Sequence, residues 1–211
     1  LFAEAGARVI TTNSYAVVPF HIGEDRFAAN GDRLAALAGR CARKVADAHG
    51  IMVAGSLPPA LGSYRADLFE ENAARDIISV LIAGLRPYVD LWLAETLSCL
   101  DEARLVGGLL RGDQLPLWLS FTLNDEGAAM LRSGESIEDA AGLAQELRAA
   151  AVLCNCSTPV VMDEAVQRAL QNNADLAVEK FTPESAALSI TDAEGAYETT
   201  LTSTIQRQSR T

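Results

Sequence analysis

Apolar positions along the chain follow two alternating rhythms, short continuous runs and longer stretches spaced as on one side of a helix. The short runs are Arg8–Ser14, Ile51–Ser56, Val89–Glu95, Leu117–Thr122, Ala151–Cys156 and, more weakly, Leu176–Phe181. Runs of this length with little internal polarity suit strands buried on both faces. Helical spacing separates them: Leu34, Leu37, Cys41, Val45 and Ala48 form one stripe, and Ile77, Ile78, Leu81, Ile82 and Leu85 another. The alternation predicts an α/β fold, a parallel sheet of at least six strands with crossover helices packed outside it.

Helix boundaries follow from local chemistry. Ser136 with Asp139 three residues on predicts a helix start resembling a capping box, with Leu143 and Leu147 on the buried side. Ser157-Thr158-Pro159 predicts another start, because proline at the first helical position loses an N–H that has no partner there anyway. Asp101 and Glu102 suit the positive end of a helix following Glu95, and His49 before Gly50 suits a helix end. Leu1 to Gly6 reads as the last turns of a helix whose beginning lies before Leu1. The barrel-like pattern is assigned to residues 1–185, about six βα units, and the polar, Thr-rich residues 186–211 to a tail or edge segment.

Polar residues gather at the C-terminal ends of the predicted strands: Thr12, Asn13 and Ser14; Ser56; Glu95 and Thr96; Ser120 and Thr122; Asn155 and Cys156. Parallel α/β folds place their sites there, so five strand ends imply one shared pocket.

Composition narrows the class of partner. The 211 residues carry a net charge of −11 without a Lys/Arg cluster, which argues against nucleic acid and anionic membrane and favours small molecules. No apolar run reaches the roughly 18 residues of a spanning helix, and no basic leader precedes one, so a soluble, cytoplasmic protein is expected. Four cysteines, at 41, 99, 154 and 156, are too few and too uneven for a disulfide framework and are read as thiols.

Individual residues leave more than one reading open. Cys154 and Cys156 are two apart, so in a continuous strand their side chains share a face. Cys156 at the rim would suit a metal, with Cys154 one layer deeper, but free cysteine is also a common buried apolar residue. Glu95 ends an apolar run, where a partly desolvated carboxylate would bind an amine or move a proton, or serve as an ordinary loop charge. His21 and His49 have no Ser or Cys partner at a recognisable offset, and the glycines form no phosphate-binding pattern.

Several segments together resemble the homocysteine S-methyltransferase family. AEAGARVITTNSYAV is similar to its second-strand segment, VAGSLPP to its third-strand GS-x-x-P, LWLAETLSCLDEA to its fourth-strand E-T-x-x-x-x-x-E-A, LWLSFTL to its fifth strand, and VLCNCSTP to its N-C-[ST]-x-P. The matches run in family order over residues 3–165. The resemblance implies a (β/α)₈ barrel of TIM type, possibly an incomplete one, in which zinc held by three cysteine thiolates binds the homocysteine sulfur. A methyl group then passes from a sulfonium-type donor to give methionine. Carried over by position, it implies Cys156 as a zinc ligand, with Cys154 a substitute second. Glu95, Thr96, Asn155, Asn13, Tyr15 and Glu102 would face the substrate.

Two family features are not found in the sequence. No Gly-Gly-Cys-Cys follows Cys156, and no Asp-Gly-Gly first-strand segment precedes Leu1. Three origins for a six-strand pattern stay open: a piece of a longer product, a truncated homologue, or a sheet closed by its tail or a partner subunit, including a homo-oligomer. Beside the methyltransferase reading stand a metal-free binding or oligomerising module and a corrinoid- or folate-linked methyltransferase, for which no cofactor motif is present.

Overall fold

The computed structural model describes residues 2–171. Five strands alternate with helices: β1 (Val9–Thr11), α1 (Pro19–Ile22), α2 (Glu24–His49), β2 (Met52–Leu57), α3 (Glu71–Leu85), β3 (Leu91–Leu97), α4 (Leu100–Leu109), β4 (Leu117–Phe121), α5 (Ile137–Glu146), β5 (Ala151–Cys154) and α6 (Pro159–Gln171). The described strands form one sheet in the order β1-β2-β3-β4-β5, every pair parallel. Sequential order without a switch point is the winding of a (β/α)₈ barrel rather than of a doubly wound sheet. The predicted strand at Leu176–Phe181 and the tail at 186–211 lie outside the described residues.

The central strands are apolar because they are covered on both faces. Val53, Ala54, Leu57, Trp92, Ala94, Leu119 and Phe121 are fully buried, whereas β1 and β5 are only partly covered. Helix ends follow the sequence signals. The Ser136 hydroxyl accepts the Asp139 amide at 3.0 Å, and Gly50, at φ +64°, closes α2 in the left-handed conformation. Pro159 opens α6.

Two expectations change. Residues 2–6 form turns, with the Gly6 amide bonded to the Ala3 carbonyl, rather than a helix end. In α2 the buried stripe is Gly31, Ala35, Gly39, Ala42 and Ala46, while Leu37, Cys41 and Val45 face outward. The cause is close helix packing. A β-carbon on Gly39 would stand 2.7 Å from the Tyr88 ring, and one on Gly84 of α3 2.8 Å from Ala35, so only small residues fit the contact.

The N-terminal ends of the strands are closed by ion pairs. Asp90, just before β3, takes both terminal nitrogens of Arg43 at 3.0 and 2.8 Å and the Val53 amide at 2.7 Å, tying α2, β2 and β3 together. The Arg43 guanidinium holds the Asp90 carboxyl below the usual carboxylate range. Asp113, before β4, accepts the Trp92 indole N–H at 3.0 Å and pairs with Arg86.

Candidate active site at the C-terminal rim

At the opposite end of the sheet the backbone departs from regular geometry at two residues. Between Ala94 and Leu97 the register of β3 against β4 slips, a bulge that contains Glu95 and Thr96. Thr96 is fully buried at φ +60°, a conformation that a β-branched residue adopts at a cost of order 1–3 kcal/mol. Cys156, two residues past β5, has φ +53°. Bulges in barrels commonly re-aim side chains at sites.

Asn155 joins these two places. Its Oδ1 accepts the Thr96 amide at 3.1 Å and the Ser120 hydroxyl at 3.0 Å, and its Nδ2 donates to Thr96 Oγ1 at 2.9 Å and lies 3.6 Å from Cys156 Sγ. One amide side chain thus ties the tips of β3, β4 and β5. The Thr96 hydroxyl stands 4.0 Å from the Cys156 sulfur, and Cys156 is exposed.

Glu95 is half-buried, and its Oε1 receives the Ser56 hydroxyl at 2.5 Å. Tyr15 is half-buried and its hydroxyl lies 2.6 Å from that of Ser63, in the loop after β2, while Asn13 is exposed in the turn after β1. Glu102 has a different setting. It is 7% exposed, its carboxylate accepts the Ser98 amide at 2.6 Å and also the Cys99 amide, and it lines an apolar recess with Pro58, Phe69, Leu97 and Leu105. This is the glutamate half of a capping box at the start of α4, and burial pushes its carboxyl up to about 7.

The rim also contains two residues that the sequence did not single out. Tyr64, at φ +64° in the loop after β2, is next to Cys156, and that neighbour together with desolvation raises its phenol to about 12. Arg132 lies 4.7 Å from the centre of the Tyr64 ring and bonds Thr122 Oγ1, Asp125 and the Cys156 carbonyl. Neither shows a local signal, since each meets Cys156 only through the folded chain.

The cysteines do not combine into a metal site. Because β5 ends at Cys154 and Cys156 is left-handed, the strand alternation that would align the pair is broken. Cys154 packs against the core, and burial pushes its thiol up to about 11. Among the described residues no group of three or more His, Cys, Asp or Glu could hold a metal, and no cysteine follows Cys156 in the sequence. A three-thiolate zinc site, as the resemblance implies, does not fit the residues present.

A sequentially wound parallel sheet with its strained, polar residues at the strand tips defines the class as a (β/α) barrel. The homocysteine S-methyltransferase family model matches residues 1–207, and the chain belongs to that family. Among solved structures it is similar to the homocysteine methyltransferase MmuM of Escherichia coli. The metallated form is 26% identical with a TM-score of 0.71, over 82% of this chain and 66% of that one. The apo form is also 26% identical, with a TM-score of 0.62 over 82% and 65%. The oxidized form, 24% identical over 90% and 71%, shares the fold at a TM-score of 0.73. The chain therefore spans just under two thirds of the length of the metallated form. No curated protein matches it. None of the described helices is long and apolar enough to cross a membrane.

Proposed function

We propose that this chain acts in methyl transfer to the thiol of homocysteine, with a sulfonium-type donor and methionine as product. The observation that carries the reading is the tie through Asn155 between Thr96 and Cys156, two left-handed residues held at the rim of a fold of this family. Strain held in place by a dedicated side chain is a feature of functional sites.

In this reading the homocysteine ammonium group pairs with Glu95, and the substrate chain lies along the wall made by Thr96 and Asn155 with its sulfur toward Cys156. Asn13 and Tyr15 border the same rim from the β1 side. The reaction is a displacement: the donor's C–S⁺ bond breaks as the new S–CH₃ bond forms, the donor leaves as a neutral thioether, and the thiol proton passes to solvent. The residues present bind and orient, which is where positioning lowers a bimolecular barrier most. No step is assigned to zinc, because the described residues supply a single cysteine sulfur at the rim.

The test is calorimetric titration with homocysteine, followed by a methionine-formation assay with a sulfonium donor, with and without added zinc. Saturable binding that Glu95→Gln weakens about tenfold is expected, the scale of one lost charge-assisted hydrogen bond. Absence of homocysteine binding under both conditions would overturn the proposal.

A further inference from the structure

Behind Glu95 lies a closed ring of hydrogen bonds among fully buried groups of β2 and the segment after β1. The Ser56 amide donates to Thr12 Oγ1 at 3.0 Å, Thr12 Oγ1 and Ser14 Oγ are 2.8 Å apart, and Ser14 Oγ donates to the Ser56 carbonyl at 2.9 Å. Thr12, Ser14 and Ser56 are 3%, 0% and 0% exposed, so water does not compete for these groups. The direction of every bond is fixed. A hydroxyl has one proton, and that of Ser14 goes to the Ser56 carbonyl, so Thr12 donates to Ser14. The ring begins and ends on the peptide groups of Ser56 itself. Its side-chain hydroxyl is left outside the ring, and its proton goes to Glu95 Oε1 at 2.5 Å.

We infer that Ser56, oriented by the Thr12–Ser14 ring, is the positioning residue for Glu95, fixing the carboxylate through Oε1 and leaving Oε2 as the acceptor for a substrate ammonium group. Glu95 Oε2 has no partner among the described residues, and the residue lies in the bulge of β3 with Oε1 on the Ser56 hydroxyl. A carboxylate free to rotate would offer an amine several geometries; one fixed by a buried donor offers a single one. Ser56 makes no contact with substrate in this account and acts through Glu95. The inference rests on the reading that the rim binds homocysteine, and it adds the device that selects for an α-amino group.

The experiment compares homocysteine with 4-mercaptobutanoate, which lacks the amino group, by calorimetric titration of the wild-type chain and of Ser56→Ala. Wild type is expected to prefer homocysteine. Ser56→Ala is expected to lower homocysteine affinity about tenfold while leaving that for 4-mercaptobutanoate within about twofold, so that the preference collapses. A merely structural role would weaken both ligands alike, and that outcome overturns the inference. Retained preference in Ser56→Ala overturns it too, without touching the proposed function. Wild type that binds both ligands equally, or neither, overturns the Glu95–ammonium pairing and the inference with it. Thr12→Val, which breaks the ring but keeps the Ser56 hydroxyl, gives the same comparison if Ser56→Ala does not fold, with a smaller loss of preference expected.

Discussion

The two ends of the sheet use polar residues in opposite ways. At the N-terminal ends, Asp90 and Asp113 are matched by arginines and receive backbone or indole N–H groups, so each carboxylate is fully engaged in joining elements. At the C-terminal ends the groups are mostly uncharged hydroxyls and amides, the backbone is left-handed at Thr96 and Cys156, and Glu95 keeps one oxygen without a partner among the described residues. One end is built for cohesion, while the other holds strain and an unused hydrogen-bond acceptor. Substitutions at the first should therefore be read in stability, and at the second in binding and turnover.

Glu102 is the residue that tests this division hardest, because it lies toward the C-terminal end yet is occupied with a helix start. Its buried carboxyl is raised to about 7 from an ordinary value of 4.5. Between about pH 4.5 and 7 the folded chain therefore holds a proton that the unfolded chain has released, so the contribution of Glu102 to stability is full below about pH 4.5 and falls as pH rises towards 7, by about 3 kcal/mol. Glu102→Gln should flatten that slope in urea melts at a series of pH values. A slope that persists in the variant would assign it to another group.

Asn155→Ala should come next in size. Releasing the Thr96 and Cys156 tips is expected to cut methyl transfer about 100-fold, with a stability loss of only about 1–2 kcal/mol. Kinetics and thermal melts on one preparation separate the two, and a loss confined to stability would remove the functional meaning of the strained tips. At the other end Asp90→Ala should cost about 2 kcal/mol, since it orphans the Val53 amide and leaves the Arg43 guanidinium only its longer pair with Asp47, while homocysteine affinity stays within about twofold. A large affinity change would show that the two ends are not independent. The smallest effect concerns Tyr64: Cys156→Ala should lower the midpoint of its phenol from about 12, seen in the phenolate absorbance, with no change in melting temperature.

Much of this was legible in the sequence. The five described strands lie within a few residues of their predicted spans, because apolar runs buried on both faces leave little ambiguity of element type. The gathering of polar residues at strand ends, and the family itself, could also be read. The orientation of α2 could not. Large residues at helical spacing pointed to one face, but approach within van der Waals distance of Tyr88 and α3 selects glycine and alanine, and a hydrophobic stripe does not encode distance. The left-handed Thr96 and Cys156 were hidden for a related reason: neither residue type favours that conformation, and what holds it is an asparagine 59 positions away from Thr96. Glu102 was legible as a residue of the helix start after Glu95, but its burial and its bonds to the Ser98 and Cys99 amides arise only in the folded chain.

The ring around Ser56 also bears on how the chain reaches its final form. Side chains alternate faces along a strand, so a slip of β1 by one residue against β2 would send Thr12 and Ser14 to the wrong side and leave the Ser56 peptide groups without their partners. A molecule misaligned in that way would also fail to seat Glu95, so ligand binding would act as a check on assembly, open only to chains whose first two strands have docked in register.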